Sequence, residues 1–136
     1  NVLFSQLSEH DSERRVIIMD KVGYLSKIYR FADVAFVGGG FGKGIHNITE
    51  PAAAGLPVIS GPNNSGFSEA SVLKEAGIYY TIRTFEEFED VMDGLIENES
   101  KRIEIRTAAI DFFNTQSGAA ERISQHVIEY VGVAER

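Results

Sequence analysis

The chain is predicted to fold as an α/β domain: a parallel sheet with helices on both faces. Three observations predict this. Short apolar runs at residues 16–19, 34–37, 57–60 and 78–82 read as strands, several of them buried. Between them lie stretches whose apolar residues return at helical spacing, joined by short connections. The 136 residues, 43% hydrophobic and 24% charged, suit one ordered domain with a substantial core.

Val2-Leu3-Phe4 is a short apolar stretch that reads as an edge strand or as part of a linker. Residues 8–15 are charged and read as a loop. Val16-Ile17-Ile18-Met19 has the pattern of a strand buried on both faces. Leu25, Ile28, Tyr29 and Ala32 recur at helical spacing, which predicts a short helix over 24–31. Val34-Ala35-Phe36-Val37 is the next buried strand and stops at Gly38-Gly39-Gly40. Asn47 opens a helix that closes at Gly55, and Pro57-Val58-Ile59-Ser60 is a strand halted by Gly61-Pro62. Residues 67–76 are helical, with Gly77 placed as a left-handed C-terminal cap. After the strand at 78–82, Thr84 and Glu87 have capping-box spacing at the head of another helix. Helices over 101–114 and 118–131 finish the chain, and two in succession suit packing across a further domain.

The composition also excludes. A net charge of −7 disfavours nucleic acid, whose phosphates an acidic surface repels. Without cysteine there are no disulfides and no thiolate metal sites. No apolar run approaches the roughly 20 residues that span a bilayer, and no signal peptide is visible. The chain begins at Asn1 rather than Met, so it is expected to be a segment of a longer protein. The Asn-x-Ser/Thr triplets at Asn47, Asn63 and Asn98 are read as chance matches.

Ligands of open parallel sheets bind at the carboxyl ends of the strands, which directs attention to the loops after Met19, Val37 and Ser60. After Val37, five glycines fall in seven residues from Gly38 to Gly44. They allow close backbone approach and can expose N–H groups. The spacing is neither a dinucleotide fingerprint nor a Walker A loop. A flexible turn and a ligand loop both remain open, the second favoured. Asn47 suits an N-cap with Glu50 three residues on, and Pro51 sits in the first turn, where a missing N–H costs nothing. Glu50 is a structural cap, an acceptor for ribose hydroxyls, or both. His46 and Glu50 stand four apart, too few groups for a metal site, so no metal is expected. His46 is expected to donate to a carbonyl or to ligand. Lys43 either meets a phosphate or is an exposed loop lysine. His10 and His126 read as surface residues. Asp20 at a strand end invites a phospho-acceptor reading, but the acidic pair and the distal lysine it needs are missing. Gly23 before a helix lets a base or sugar lie against backbone.

Three segments are familiar as a set: Val34-Ala-Phe-Val-Gly-Gly-Gly-Phe41, Gly44-Ile-His-Asn-Ile-Thr-Glu-Pro51 and Gly55-Leu-Pro-Val-Ile-Ser-Gly-Pro62. Together they resemble the C-terminal domain of 3-deoxy-D-manno-octulosonate (Kdo) transferases, a Rossmann-like domain that forms half of a GT-B fold. The stretch from Val22 to Asp33 matches in spacing. The likeness covers residues 16–82 well and the terminal helices loosely.

That resemblance implies a glycosyltransferase that moves Kdo from CMP-Kdo to a lipid A precursor in lipopolysaccharide biosynthesis, inverting the anomeric centre without a bound metal or other cofactor. The residues expected at the donor nucleotide are Val22, Gly23, Tyr24, Gly38, Gly39, Gly40, Gly44, His46, Asn47, Ile48, Thr49 and Glu50. Glu50 would bind ribose hydroxyls, and helix-terminal N–H groups would favour the phosphate. By the same resemblance, the whole chain 1–136 is the donor domain of an enzyme at the cytoplasmic face of the bacterial inner membrane. The glutamate base, the acceptor site and the membrane-associating segment lie in an N-terminal domain outside this chain. No catalytic residue is therefore expected here, and the fragment alone should not transfer sugar. Two departures are visible: relatives often carry two glycines before His-Asn, where this chain has Gly44-Ile45, and the position of Tyr24 is commonly acidic. The alternatives are a donor domain for a UDP-sugar and a non-catalytic flavodoxin-like regulatory module.

Overall fold

In a computed structural model of the chain, residues 1–11, 13–116, 118, 123–128 and 130 are described. The strands are β1 (Val2–Leu3), β2 (Ile17–Ile18), β3 (Ala35–Val37), β4 (Val58–Ser60) and β5 (Tyr79–Thr81). The helices are α1 (Leu25–Ile28), α2 (Thr49–Ala53), α3 (Glu69–Glu75), α4 (Phe85–Ile96) and α5 (Glu99–Gln116), with a 3₁₀ turn at Tyr29–Phe31 extending α1. Strands and helices alternate as expected. Of the second terminal helix, residues 123–128 and 130 are helical, and most of its remaining stretch lies outside the described residues.

Every strand pairing is parallel, but the strands form two ladders. β1 pairs with β2, and β3, β4 and β5 follow in order. The register places Ala35 beside Val58 and Val58 beside Tyr79. Alternation then sends Ala35 and Val37 to one face and Phe36 to the other. Phe36 meets Phe88 of α4 edge-on, with ring centroids 5.7 Å apart, while Ala35 and Val37 line a cleft with α1 and α2. The larger sheet thus carries helices on both faces.

The core lies around β4. Ile48, Ala52, Val58, Ile59, Leu73, Ile78, Leu95 and Ala109 have no exposed surface, and all of β4 is buried. Complete burial of a branched aliphatic side chain contributes roughly 1.5–3 kcal/mol, so this is where the fold is held. The expectation for β2 is corrected. Val16, Ile17 and Ile18 are 50%, 52% and 47% exposed, and β3, also expected to be buried, is not: Phe36 is 50% exposed on the edge of its sheet. A β-branched run signals a strand, but nothing local says what covers it, and here it sits in the outlying two-stranded ladder.

The helix ends obey local rules. Thr84 Oγ1 accepts the amide of Glu87 at 3.2 Å, and the Glu87 carboxylate returns to the amide of Arg83 at 2.6 Å. The box is thus displaced by one residue from its usual reciprocal form. Gly77, at φ 73°, closes α3, its amide bonding the Lys74 carbonyl while that of Ile78 bonds Leu73. Arg102 reaches from α5 to the Leu95 and Ile96 carbonyls at the end of α4, tying the two helices together. Among the described residues no helix is long and apolar enough to cross a membrane.

Candidate functional site

Beyond β3 the glycine-rich segment folds back on itself. The amides of Gly42 and Gly44 both donate to the Gly39 carbonyl, at 2.9 and 3.2 Å, and that of His46 reaches the Gly38 carbonyl at 3.4 Å. Several N–H groups that a bare anion cradle would offer are thus committed internally. Gly39 must be glycine: its φ is 91°, and a Cβ there would fall 2.3 Å from the Gly44 carbonyl oxygen.

The loop after β4 locks this turn in place. Asn63 touches it at three points: its amide donates to Gly40 at 2.9 Å, its side-chain Nδ2 donates to Gly42 at 2.8 Å, and its carbonyl accepts from Ile45 at 3.1 Å. The chain then enters α2 through Asn47, whose Oδ1 accepts the amides of Thr49 and Glu50 at 2.9 and 3.2 Å. Asn47 is the cap expected from the sequence. Its side chain also occupies the first amides of α2, so the helix start offers less to an incoming phosphate than its position suggests. Pro51 and Ala52 bury the inner side of α2 against the core, and Gly55, at φ 83°, ends it.

Between α1 and α2 lies a cleft of about 370 Å³ over the edge of β3. Leu25, Ile28 and Tyr29 form one wall, and His46, Asn47 and Glu50 stand on the other. One wall offers apolar and aromatic surface, and the other offers an imidazole, an amide and a carboxylate. A ligand with a flat ring and a vicinal diol would find contact on the first and hydrogen bonds on the second. The Tyr29 phenol is pushed above its ordinary value of 10.0, first by burial and then by the negative charge of Glu50. It therefore remains a neutral hydroxyl at physiological pH.

Of the residues expected at a donor nucleotide, His46, Asn47 and Glu50 share this cleft. Gly38, Gly39, Gly40 and Gly44 shape the turn that delivers them, and Thr49 is the first residue of α2. The Ile48 side chain is fully buried in the core, leaving only backbone for a ligand. Val22, Gly23 and Tyr24 are not among the residues lining the cleft. They form the bend between β2 and α1, where Val22 is wholly exposed and Gly23 has φ 86°. The Tyr24 ring packs on Phe4 at 5.1 Å, with the Lys27 ammonium 5.3 Å from its centre. Asp20 has a structural role, since its carboxylate accepts both the amide and the hydroxyl of Ser5 and joins the ends of β1 and β2. Tyr29 and Asn63 were not anticipated. The sequence signal for Tyr29 was its helical spacing with Leu25, which predicts a buried face rather than a cleft wall. Asn63 stands out in the sequence only as an Asn-x-Ser triplet and by its place after Gly61-Pro62. Among the described residues no group of three or more histidine, aspartate or glutamate side chains is arranged to hold a metal.

No protein-family model matches the chain. Among curated relatives, it is 37% identical over 108 residues to the 3-deoxy-D-manno-octulosonic acid transferase of Chlamydia trachomatis serovar D, a match covering 74% of this chain and 24% of that protein. The enzyme of the same name from Haemophilus influenzae is 30% identical over 112 residues, covering 80% of this chain and 26% of that one. The chain thus spans about a quarter of the length of these relatives. Among solved structures, the C-terminal CMP-Kdo binding domain of WaaA from Acinetobacter baumannii superimposes with a TM-score of 0.61 at 23% identity, over 69% of this chain and 50% of that one. That likeness is one of fold. By these sequence relationships the chain belongs to the 3-deoxy-D-manno-octulosonic acid (Kdo) transferase family, spanning about a quarter of the length of those members.

Proposed function

We propose that this chain is the donor-binding domain of a Kdo transferase and that the cleft between α1 and α2 receives the nucleotide of CMP-Kdo. The observation that carries the reading is the convergence of His46, Asn47 and Glu50 on one cleft facing Leu25, Ile28 and Tyr29. In this arrangement the Glu50 carboxylate accepts hydrogen bonds from the ribose hydroxyls. His46 donates to an oxygen of the ligand, and the apolar wall takes the flat base or the sugar face. Asn47 holds the start of α2 so that Glu50 keeps its direction. The bend at Val22, Gly23 and Tyr24 supplies backbone beside the ligand. The similar fold of the C-terminal CMP-Kdo binding domain of WaaA from Acinetobacter baumannii supports the choice of ligand.

The whole enzyme would pass Kdo to a lipid A precursor at the cytoplasmic face of the bacterial inner membrane. We assign the base and the acceptor site to parts of the enzyme outside these residues, so this chain alone binds donor and does not transfer it. Titration of the chain with CMP, UMP and UDP, followed by amide NMR, tests the assignment. Shifts confined to residues 22–24 and 38–50 that favour CMP are expected. A preference for UDP would move the domain to UDP-sugar enzymes, and no response at millimolar nucleotide would sink the donor reading. A folded Glu50→Ala variant that binds CMP unchanged would remove the ribose role.

A further inference from the structure

Beneath the glycine-rich turn lies a buried polar chain that the donor reading does not use. Tyr79 is 1% exposed and Ser60 has no exposed surface. They stand on neighbouring strands, on the same face of the sheet, with Ser60 Oγ and Tyr79 Oη 2.5 Å apart. Ser60 Oγ also lies 2.9 Å from the Gly61 carbonyl, and Asn64 Nδ2 lies 3.5 Å from Tyr79 Oη.

Each hydroxyl has one proton, so the donors can be assigned by elimination. A carbonyl only accepts, so Ser60 gives its proton to Gly61. Tyr79 must then give its own to Ser60, and its oxygen is left to accept from Asn64. The chain runs in one direction, Asn64 to Tyr79 to Ser60 to Gly61, with each hydroxyl both donating and accepting. It ends where the β4 loop presses on the glycine-rich turn. A Cβ on Gly61 would lie 2.6 Å from the Gly40 carbonyl carbon. Two residues on, Asn63 makes its three bonds to Gly40, Gly42 and Ile45.

We infer that Tyr79 is a positioning residue for donor binding: its hydroxyl, through Ser60 and the 61–64 loop, sets the glycine-rich turn that leads into His46 and Asn47. Tyr79 touches no ligand and acts from the floor of the sheet. The inference rests on the donor reading for its functional consequence, but the ordering of the turn can be read without any ligand.

The experiment uses Tyr79→Phe, which keeps the ring in the core and removes only the hydroxyl, together with Ser60→Ala and the double variant. Amide exchange and CMP titration are measured on each. Tyr79→Phe should speed exchange at residues 40–45 relative to the amides of β4, and should weaken CMP binding about three- to tenfold, the scale of one lost hydrogen bond. The double variant should bind no more weakly than the more affected single one, because both substitutions break the same chain. Exchange that rises equally throughout the core, or a turn that stays as protected as in the parent, would overturn the inference. So would unchanged CMP affinity in a parent that binds CMP. If the parent does not bind CMP, the donor reading fails by itself, and local exchange at 40–45 still decides whether Tyr79 orders the turn.

Discussion

Gly40 and Gly61 meet backbone against backbone where β3 and β4 run out, and neither has room for a side chain. A Cβ on Gly40 would sit 2.7 Å from the Gly61 nitrogen, and one on Gly61 would sit 2.6 Å from the Gly40 carbonyl carbon. Both residues are buried, so the contact cannot be relieved by swinging a side chain into solvent. Gly61→Ala should therefore cost about 1–3 kcal/mol, as overpacking does. Chemical denaturation measures the loss, and amide shifts should move at Gly40 through Gly42 before they move in α4.

A second expectation concerns Tyr29 and Glu50 across the cleft. Burial, then the Glu50 charge, raises the Tyr29 phenol above 10.0. The folded value exceeds the unfolded one, so the associated stability is fully present below pH 10 and is lost as pH rises through the folded value. Glu50→Gln should lower the Tyr29 midpoint without returning it to the ordinary value, because burial persists. Ultraviolet titration of tyrosinate, with Tyr29→Phe as the subtraction control, would expose an error if the midpoint did not move.

The Ser5–Asp20 pair predicts behaviour in acid. The Ser5 hydroxyl and then the Ser5 amide hold the Asp20 carboxyl below its ordinary value of 3.8. Here the folded value is the lower one, so the contribution is present above pH 3.8 and disappears as pH falls through the folded value. Ser5→Ala should raise the Asp20 midpoint in a carboxyl-carbon NMR titration. It should also speed amide exchange at the β1–β2 ladder while leaving β4 alone.

Thr81 provides an opposite case. Its Oγ1 is buried and has no hydrogen-bond partner among the described residues. An unpaired buried hydroxyl costs on the order of 1–3 kcal/mol. Thr81→Val keeps the shape and removes that cost, so the thermal midpoint should rise. A fall would mean that the hydroxyl is satisfied in solution.

Much of this was legible in the chain because it is local. The alternation of strands and helices, the Asn47 cap, the Gly77 stop and the Thr84 start each depend on residues within one turn of one another. The missed features are all long-range. The sequence shows Val16-Ile17-Ile18 as a strand but not that its ladder stands outside the core. The Ser60–Tyr79 bond joins residues 19 apart and exists only once β4 and β5 take their register. Tyr29 looked like an inward-facing helical residue, and only the position of α2 made its surroundings a cleft. His46, Asn47 and Glu50 crowd one helix start and so can be picked out together, whereas the facing wall comes from a separate element.

The two walls of that cleft differ in how they are anchored. α2 is set against the core by Pro51 and Ala52, whereas α1 contains no buried residue and follows the exposed β2. One jaw is therefore bolted to the frame and the other is hung from a light bracket, with the difference in local stability that implies. Under the donor-binding proposal, such a vice would read hydroxyl pattern on its fixed side and accommodate bulk on its yielding side. Chemical identity would then be discriminated at Glu50, and the size of what lies opposite would be tolerated at Leu25 and Tyr29.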